Sequence, residues 1–175
     1  CRFCGASLRR TFVDLGMSPL CQTQILPEHL NSAENFYPLH VRICDACFLV
    51  QLDEYVRPEV IFGSNYPYFS SYSQSWVAHA KRYTEKMQRE HGIGHSSFVV
   101  ELASNDGYLL QHFKAAGIRC LGVEPTAGTA AAAVAKGIPT EVAFFGQELA
   151  RRLREQYGTA DLVVGNNVLA HVPDL

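Results

Sequence analysis

At 175 residues, with 47% apolar and 18% charged side chains, the chain is long enough to bury one sizeable core and a small second module. A net charge of -2, from 15 basic and 17 acidic residues, makes no electrostatic case for a polyanion such as duplex DNA or structured RNA. No run of about 18 apolar residues offers a membrane span, and the start "CRFCGASLRR" lacks a secretory apolar stretch, so a soluble cytoplasmic protein with neither nucleic acid nor membrane as partner is expected.

The chain begins in chemistry. Cys1 and Cys4 in "CRFCG" are separated by 39 residues from Cys44 and Cys47 in "CDAC". Two such knuckles offer four thiolates, which close a tetrahedral structural Zn2+ site and leave no position for a substrate water. The long spacing requires an inserted hairpin or loop between the knuckles. A thioredoxin-type redox pair would follow a strand and open a helix, which neither pair does, and disulfides are disfavoured in the cytosol. Cys21 and Cys120 are left over and read as small buried hydrophobes.

Five of the six cysteines precede residue 48, whereas alternating branched-apolar and alanine-rich segments start only near residue 98. That shift divides the chain into a zinc-binding domain at 1–60, a Tyr/Ser-rich segment with a helix at 61–97, and a cofactor-binding domain at 98–175. Trp76, Ala80, Tyr83 and Met87 recur at spacings of four, three and four, which predicts an amphipathic helix over 73–91 with Gly92 as its stop.

From residue 98 an apolar run, a turn and a helical stretch follow one another three times. "FVVELA" leads to "GYLLQHFKAAG", "RCLGVE" to "TAGTAAAAVAKG" and "IPTEVA" to "GQELARRLREQYG", before a fourth run, "DLVVGNN". The alternation predicts right-handed crossovers and a doubly wound parallel α/β sheet with strand order 3-2-1-4. A ligand then sits beyond the carboxyl ends of the strands, where strands 1 and 4 diverge, and "ASNDG" after the first strand occupies that switch point.

This loop holds a single glycine, Gly107. It lacks the further glycines that let a pyrophosphate approach, so a nicotinamide or flavin dinucleotide is disfavoured. Asn105 and Asp106 tolerate turn conformations that most residues resist. Glu101, inside the first strand, is costly to bury unless a cation or donor meets it, and an α-ammonium group would do so. Glu124 in "VEP" falls 17 residues after Gly107, near the offset of about 20 at which an acid grips ribose hydroxyls in this fold. Ribose, an amino group and no pyrophosphate describe S-adenosylmethionine better than a dinucleotide. A solvated strand-end carboxylate is the plain alternative for Glu124.

Taken in order, "CRFCG", "CDACFLVQL", "YPYFSSYSQSW", "VVELASNDGYLLQHF", "GVEPTAG" and "NNVLAHVPD" resemble the zinc-containing sugar C-methyltransferases. The resemblance spans nearly the whole chain. It implies methylation at carbon 3 of a nucleotide-linked 4-keto-deoxysugar, with an N-terminal zinc domain, a central Rossmann-like class I methyltransferase domain, and a C-terminal domain that helps hold the sugar. The chain starts without Met and ends at Leu175, so a missing C-terminal domain of the same polypeptide is expected.

The expected site residues follow from both lines. Cys1, Cys4, Cys44 and Cys47 are the metal ligands. Tyr66, Tyr68, Ser70, Glu101, Ala103, Asn105, Gly107, Glu124, Pro125, Phe144 and Asn166 form the cofactor set. Asn166 offers an amide to the methionyl part, with turn formation as its alternative, and the tyrosines offer hydroxyls and flat faces, with packing as theirs. Phe144 can stack on adenine, though core burial is the simpler reading. His171, just past the fourth strand, is the expected catalytic base or enolate stabiliser, since its ordinary pKa of about 6.5 suits proton transfer. A zinc-containing RNA or small-molecule methyltransferase and a non-catalytic binding module are the rival readings. The RNA rival predicts a basic face, yet residues 1–60 hold seven acidic side chains against five basic ones.

Overall fold

The computed structural model describes residues 1–22, 24–63 and 66–172. They form two compact units, one made of Cys1–Ile61 with the described residues from Leu169 onward, the other of Phe62–Val168.

In the first unit, β1 (Arg10–Ser18) pairs antiparallel with β2 (Tyr37–Ile43), and β2 pairs antiparallel with β3 (Val50–Leu52). The β1–β2 hairpin is the insertion that the spacing between the cysteine pairs required. The register shifts between Asp14 and Met17. There Gly16 takes a φ of +78° and donates its N–H to Asp14 Oδ1 at 2.9 Å, a conformation open to a residue without Cβ. A short helix, α1 (Pro58–Ile61), closes the unit. Burial is slight: among its described residues only Cys44 and Gln51 are excluded from solvent. Phe12, Leu15, Met17, Leu26 and Phe36 stay exposed. Cys21, expected inside, is exposed as well, because this unit has almost no interior to take it.

The second unit opens with α2 (Gln74–His91), whose N-cap Ser73 accepts the Trp76 N–H at 3.3 Å and whose C-cap Gly92 has a φ of +65°. That stop takes His95 off the helix, so His91 and His95, four apart in sequence, do not share a helical face. The strands β4 (Phe98–Leu102), β5 (Arg119–Val123), β6 (Thr140–Glu141) and β7 (Leu162–Val164) form a parallel sheet in the order β6-β5-β4-β7, which is the predicted 3-2-1-4. The connecting helices are α3 (Leu110–Ala115), α4 (Ala127–Ala135) and α5 (Gln147–Tyr157).

Alternation along β4 sends Phe98 and Val100 into a cluster with Leu121, Val123, Leu149 and Leu153, on the side of α5. Val99 points the other way, among Leu109, Leu110, Phe113, Ala133 and Ile138, with Ala80, Tyr83 and Met87 of α2 against them. Leu109, Leu110 and Phe113 are wholly buried, and each such side chain contributes roughly 1.5–3 kcal/mol by leaving water. The same alternation puts Glu101 on the Val99 face. Trp76, by contrast with the rest of its stripe, is 36% exposed and stacks on His79 and Tyr108.

Two elements are shorter than the sequence pattern suggests. The helix expected from Gly107 begins only at Leu110, because Asn105 and Gly107 hold φ values of +51° and +75° that a right-handed helix excludes. β6 keeps two residues of its apolar run; Pro139, just before it, has no N–H to pair and meets β5 through its carbonyl, which accepts the Gly122 N–H at 2.8 Å. No described helix is long and apolar enough to cross a membrane.

Candidate functional site

The sulfurs of Cys1, Cys4, Cys44 and Cys47 all lie within 4.8 Å of one another. The close approaches run between knuckles, Cys1 to Cys47 and Cys4 to Cys44, each at 3.6 Å. Tetrahedral Zn–S bonds of about 2.3 Å put sulfurs about 3.8 Å apart, so the donor set fits a closed structural zinc. The knuckles have matching backbones. Gly5 donates its N–H to the Cys1 carbonyl at 2.9 Å, and Phe48 donates to the Cys44 carbonyl at 3.0 Å. Both residues take a left-handed φ, +74° and +62°. Glycine does so freely, but Phe48 is strained and 72% exposed, so local packing does not offset its cost.

Neighbouring donors tune the thiols. Backbone N–H groups of Cys47 and Ala46 pull the Cys44 thiol down to about 7, toward the thiolate that a metal needs. Gln51 Nε2 donates to Cys1 Sγ at 3.2 Å while its Oε1 accepts the Arg2 N–H at 3.0 Å. Gln51 is thus an outer-shell partner of the metal ligands that sequence reading did not single out; nothing in its spacing marks it.

In the second unit, the loop after β4 alternates into the left-handed region at Ala103, Asn105 and Gly107. Gly107 is needed for room as well as for φ: a Cβ there would stand 2.4 Å from Ile138 Cδ1. On β5, a Cβ at Gly122 would stand 2.4 Å from Ser104 Oγ. The loop's strain is offset by hydrogen bonds. Asn105 donates its N–H to Glu124 Oε2 at 2.8 Å, accepts the Ser70 N–H on Oδ1 at 2.8 Å and donates Nδ2 to the Tyr68 carbonyl at 3.0 Å. Glu124 also accepts the Thr126 N–H at 2.8 Å and the Thr126 hydroxyl. The Tyr/Ser-rich segment is therefore docked on the loop, through Ser70 and Tyr68, by the side chain of Asn105.

Glu101 stands apart from these satisfied groups. It is 1% exposed, and neither carboxyl oxygen has a hydrogen-bond partner. Burial pushes its pKa well above the usual carboxylate range; the nearby Tyr108 hydroxyl pulls it down, and the Glu124 and Asp106 carboxylates push it further up. Tyr108 is itself raised by burial and by Glu101, and its hydroxyl accepts Asn166 Nδ2 at 3.2 Å. Ser104 Oγ is another buried polar atom without a partner. The end of β4 thus presents a buried, acceptor-rich face in which the Tyr108 hydroxyl stands near Glu101 without reaching hydrogen-bond geometry.

Glu101, Ala103, Asn105, Gly107, Glu124, Pro125, Tyr68 and Ser70 gather on or beside this loop, and Asn166 joins through Tyr108. Tyr66 packs edge-to-face against Tyr68 and Phe62. Phe144, for which burial was the simpler expectation, is instead 41% exposed, since β6 stops three residues earlier and no cover follows. His171 lies exposed in a 3-10 turn, Leu169–His171, which belongs to the first unit. Tyr108, Thr126, Ser71 and Lys136 were not singled out in the sequence. Asp106 was read there as a turn residue, and the structure adds its bonds to Ser71 and Lys136.

Residues 1–62 match the profile of the family Methyltransf_13, described as a candidate zinc binding domain. The whole chain is 33% identical over 175 residues to the C-methyltransferase NovU of Streptomyces niveus, and it spans 41% of that protein's length. Among solved structures, YjhP from E. coli matches 59% of this chain and 34% of its own at 15% identity, with a TM-score of 0.28, a likeness too slight to bear on fold or function. By the first two matches the chain is similar along its whole length to a C-methyltransferase, and its residues 1–62 are similar to a zinc-binding domain.

Proposed function

We propose that the protein is an S-adenosylmethionine-dependent C-methyltransferase acting at carbon 3 of a nucleotide-linked 4-keto-deoxysugar. The observation that carries the cofactor half of this reading is Glu101: a carboxyl group with both oxygens buried and unpartnered, at the carboxyl end of the strand beside the fold's switch point, calls for a cationic donor. The α-ammonium group of the cofactor is such a donor. Methylation at carbon is supported by the likeness to a C-methyltransferase, and the sugar substrate by the ordered motifs that resemble the sugar C-methyltransferases.

In this reading residues 1–60 are the zinc domain, 61–97 the joining segment and 98–175 the cofactor domain. The cofactor supplies an electrophilic methyl group on a sulfonium centre. Glu101 receives its amino group, and Glu124, with three of about four acceptor positions in use, keeps one for a ribose hydroxyl. Phe144 offers an exposed flat face to adenine, and Asn166 an amide to the methionyl part. Ala103, Gly107 and Pro125 shape the floor, while Tyr66, Tyr68 and Ser70 line the side given by the docked segment. His171 takes the proton from carbon 3, which the adjacent carbonyl acidifies, or stabilises the resulting enolate. The nucleotide sugar is held with the help of further polypeptide of the kind the longer relative has, and the reaction takes place in the cytoplasm.

Titration with S-adenosylhomocysteine by calorimetry, with zinc per chain measured on the same sample, tests the reading. Saturable binding near one site is expected, weakened at least tenfold by Glu101→Gln. Absence of binding, or indifference to that substitution, would overturn the assignment of Glu101.

A further inference from the structure

We propose that Lys136 is a positioning residue for the cofactor site, holding the Tyr/Ser-rich segment on the 103–107 loop through Asp106 and Ser71; the inference rests on the cofactor reading above. Lys136 caps the C-terminus of α4. Its ammonium reaches away from its own helix to Asp106 Oδ2 at 3.0 Å, the Asp106 carbonyl at 2.8 Å and Ser71 Oγ at 3.1 Å. An ammonium has three donors, and these contacts use all three.

Asp106 is the hub. Its side chain is 2% exposed, and a buried carboxylate needs a paired charge and filled acceptor positions. Oδ1 accepts the Ser71 N–H at 3.3 Å, and Oδ2 accepts the Ser71 hydroxyl beside Lys136. Asn105 holds Tyr68 and Ser70 from the adjacent position. The segment from Tyr68 to Ser71 is therefore tied to two successive loop residues, and Lys136 supplies the one cation in the tie. Removing that charge leaves Asp106 buried against Ser71 alone. The segment bearing Tyr66, Tyr68 and Ser70 then loosens, although Lys136 is assigned no contact with the cofactor.

The test compares the zinc-loaded wild type with Lys136→Met, which keeps the length and loses the charge, and Lys136→Arg, which keeps the charge. Lys114→Met serves as control: Lys114 bonds the Lys136 carbonyl at 2.7 Å without reaching Asp106. Affinity for S-adenosylhomocysteine is measured by calorimetry, and amide hydrogen exchange is followed at Ser70 and Ser71. Lys136→Met is expected to weaken binding about tenfold and to speed exchange at Ser71, with Arg restoring most of both and Lys114→Met changing neither. Unchanged affinity in Lys136→Met, or equal losses in Met, Arg and the Lys114 control with a lowered melting temperature, would overturn the positioning role. Failure of the wild type itself to bind would instead overturn the cofactor reading, and this inference with it.

Discussion

Between Cys1 and Ile61 only Cys44 and Gln51 are buried among the described residues, whereas Phe62–Val168 wraps a sheet in two apolar clusters, one on each face. The contrast teaches that order in one chain can rest on two different free-energy terms. Removal of apolar surface from water suffices for the parallel sheet. The N-terminal hairpin has too little interior for that, exposes Phe12, Leu15, Met17 and Phe36, and carries a strained Phe48. Coordination of a metal by Cys1, Cys4, Cys44 and Cys47 would supply the missing term, as in other small domains in which binding energy is folding energy.

The largest expected effect follows from withdrawing that term. Structural zinc contributes apparent free energies of about 10–16 kcal/mol in small peptides. A strong chelator should therefore unfold the β1–β3 sheet and open residues 1–61 to protease, while Phe62–Val168 stays resistant. Limited proteolysis read by mass spectrometry checks this, and a protected hairpin after zinc loss would break the comparison.

The converse change is Phe113→Ala, which empties a wholly buried position in the second unit. A loss of about 3–5 kcal/mol is expected there, with zinc per chain unchanged. Denaturant unfolding followed by circular dichroism, beside a zinc assay, would separate the two outcomes.

A smaller effect with a defined pH signature is expected from Glu101→Gln. Burial raises the Glu101 pKa in the folded protein, so the folded state holds the proton more tightly than the unfolded chain. The stability that this proton confers is complete below the ordinary carboxylate pKa of about 4.3 and is lost as pH rises toward the raised value. Glutamine escapes that loss, so the variant should melt higher than the wild type at neutral pH, with the gap closing in acid. Tyr108, Tyr83, Glu124, Asp106 and Cys120 surround or feel this carboxyl and none is cationic, so no local partner reverses the sign. Melting curves from pH 4 to 8 measure it; a gap independent of pH would mean that burial does not raise the Glu101 pKa. Together with weaker cofactor binding, the result would make Glu101 a residue kept at a cost in stability.

Much of the architecture was legible in the residues. Runs such as "FVVEL" and "RCLGV", each followed by a helical stretch, announce a covered parallel sheet, and the strand order follows from connection rules rather than from any contact. The paired cysteines announce a metal site, and Asn105, Gly107 and Glu124 announce a loop. The single glycine of that loop left open how it bends; Ala103 and Asn105 share the left-handed turns, and Gly107 makes room for Ile138.

What the sequence determined by itself was periodic or local: alternation, helix length, turn chemistry and ligand spacing, all set by backbone geometry within a few residues. What only the tertiary structure decided was satisfaction. That Glu124 is engaged by Asn105 and Thr126 while no hydrogen bond is completed to Glu101, that Phe144 is uncovered, and that Lys136 closes on Asp106 and Ser71 depend on groups brought together from up to 65 positions apart. Hydrogen bonding and burial act through space, and the one-dimensional pattern carries no record of which distant donor reaches which acceptor.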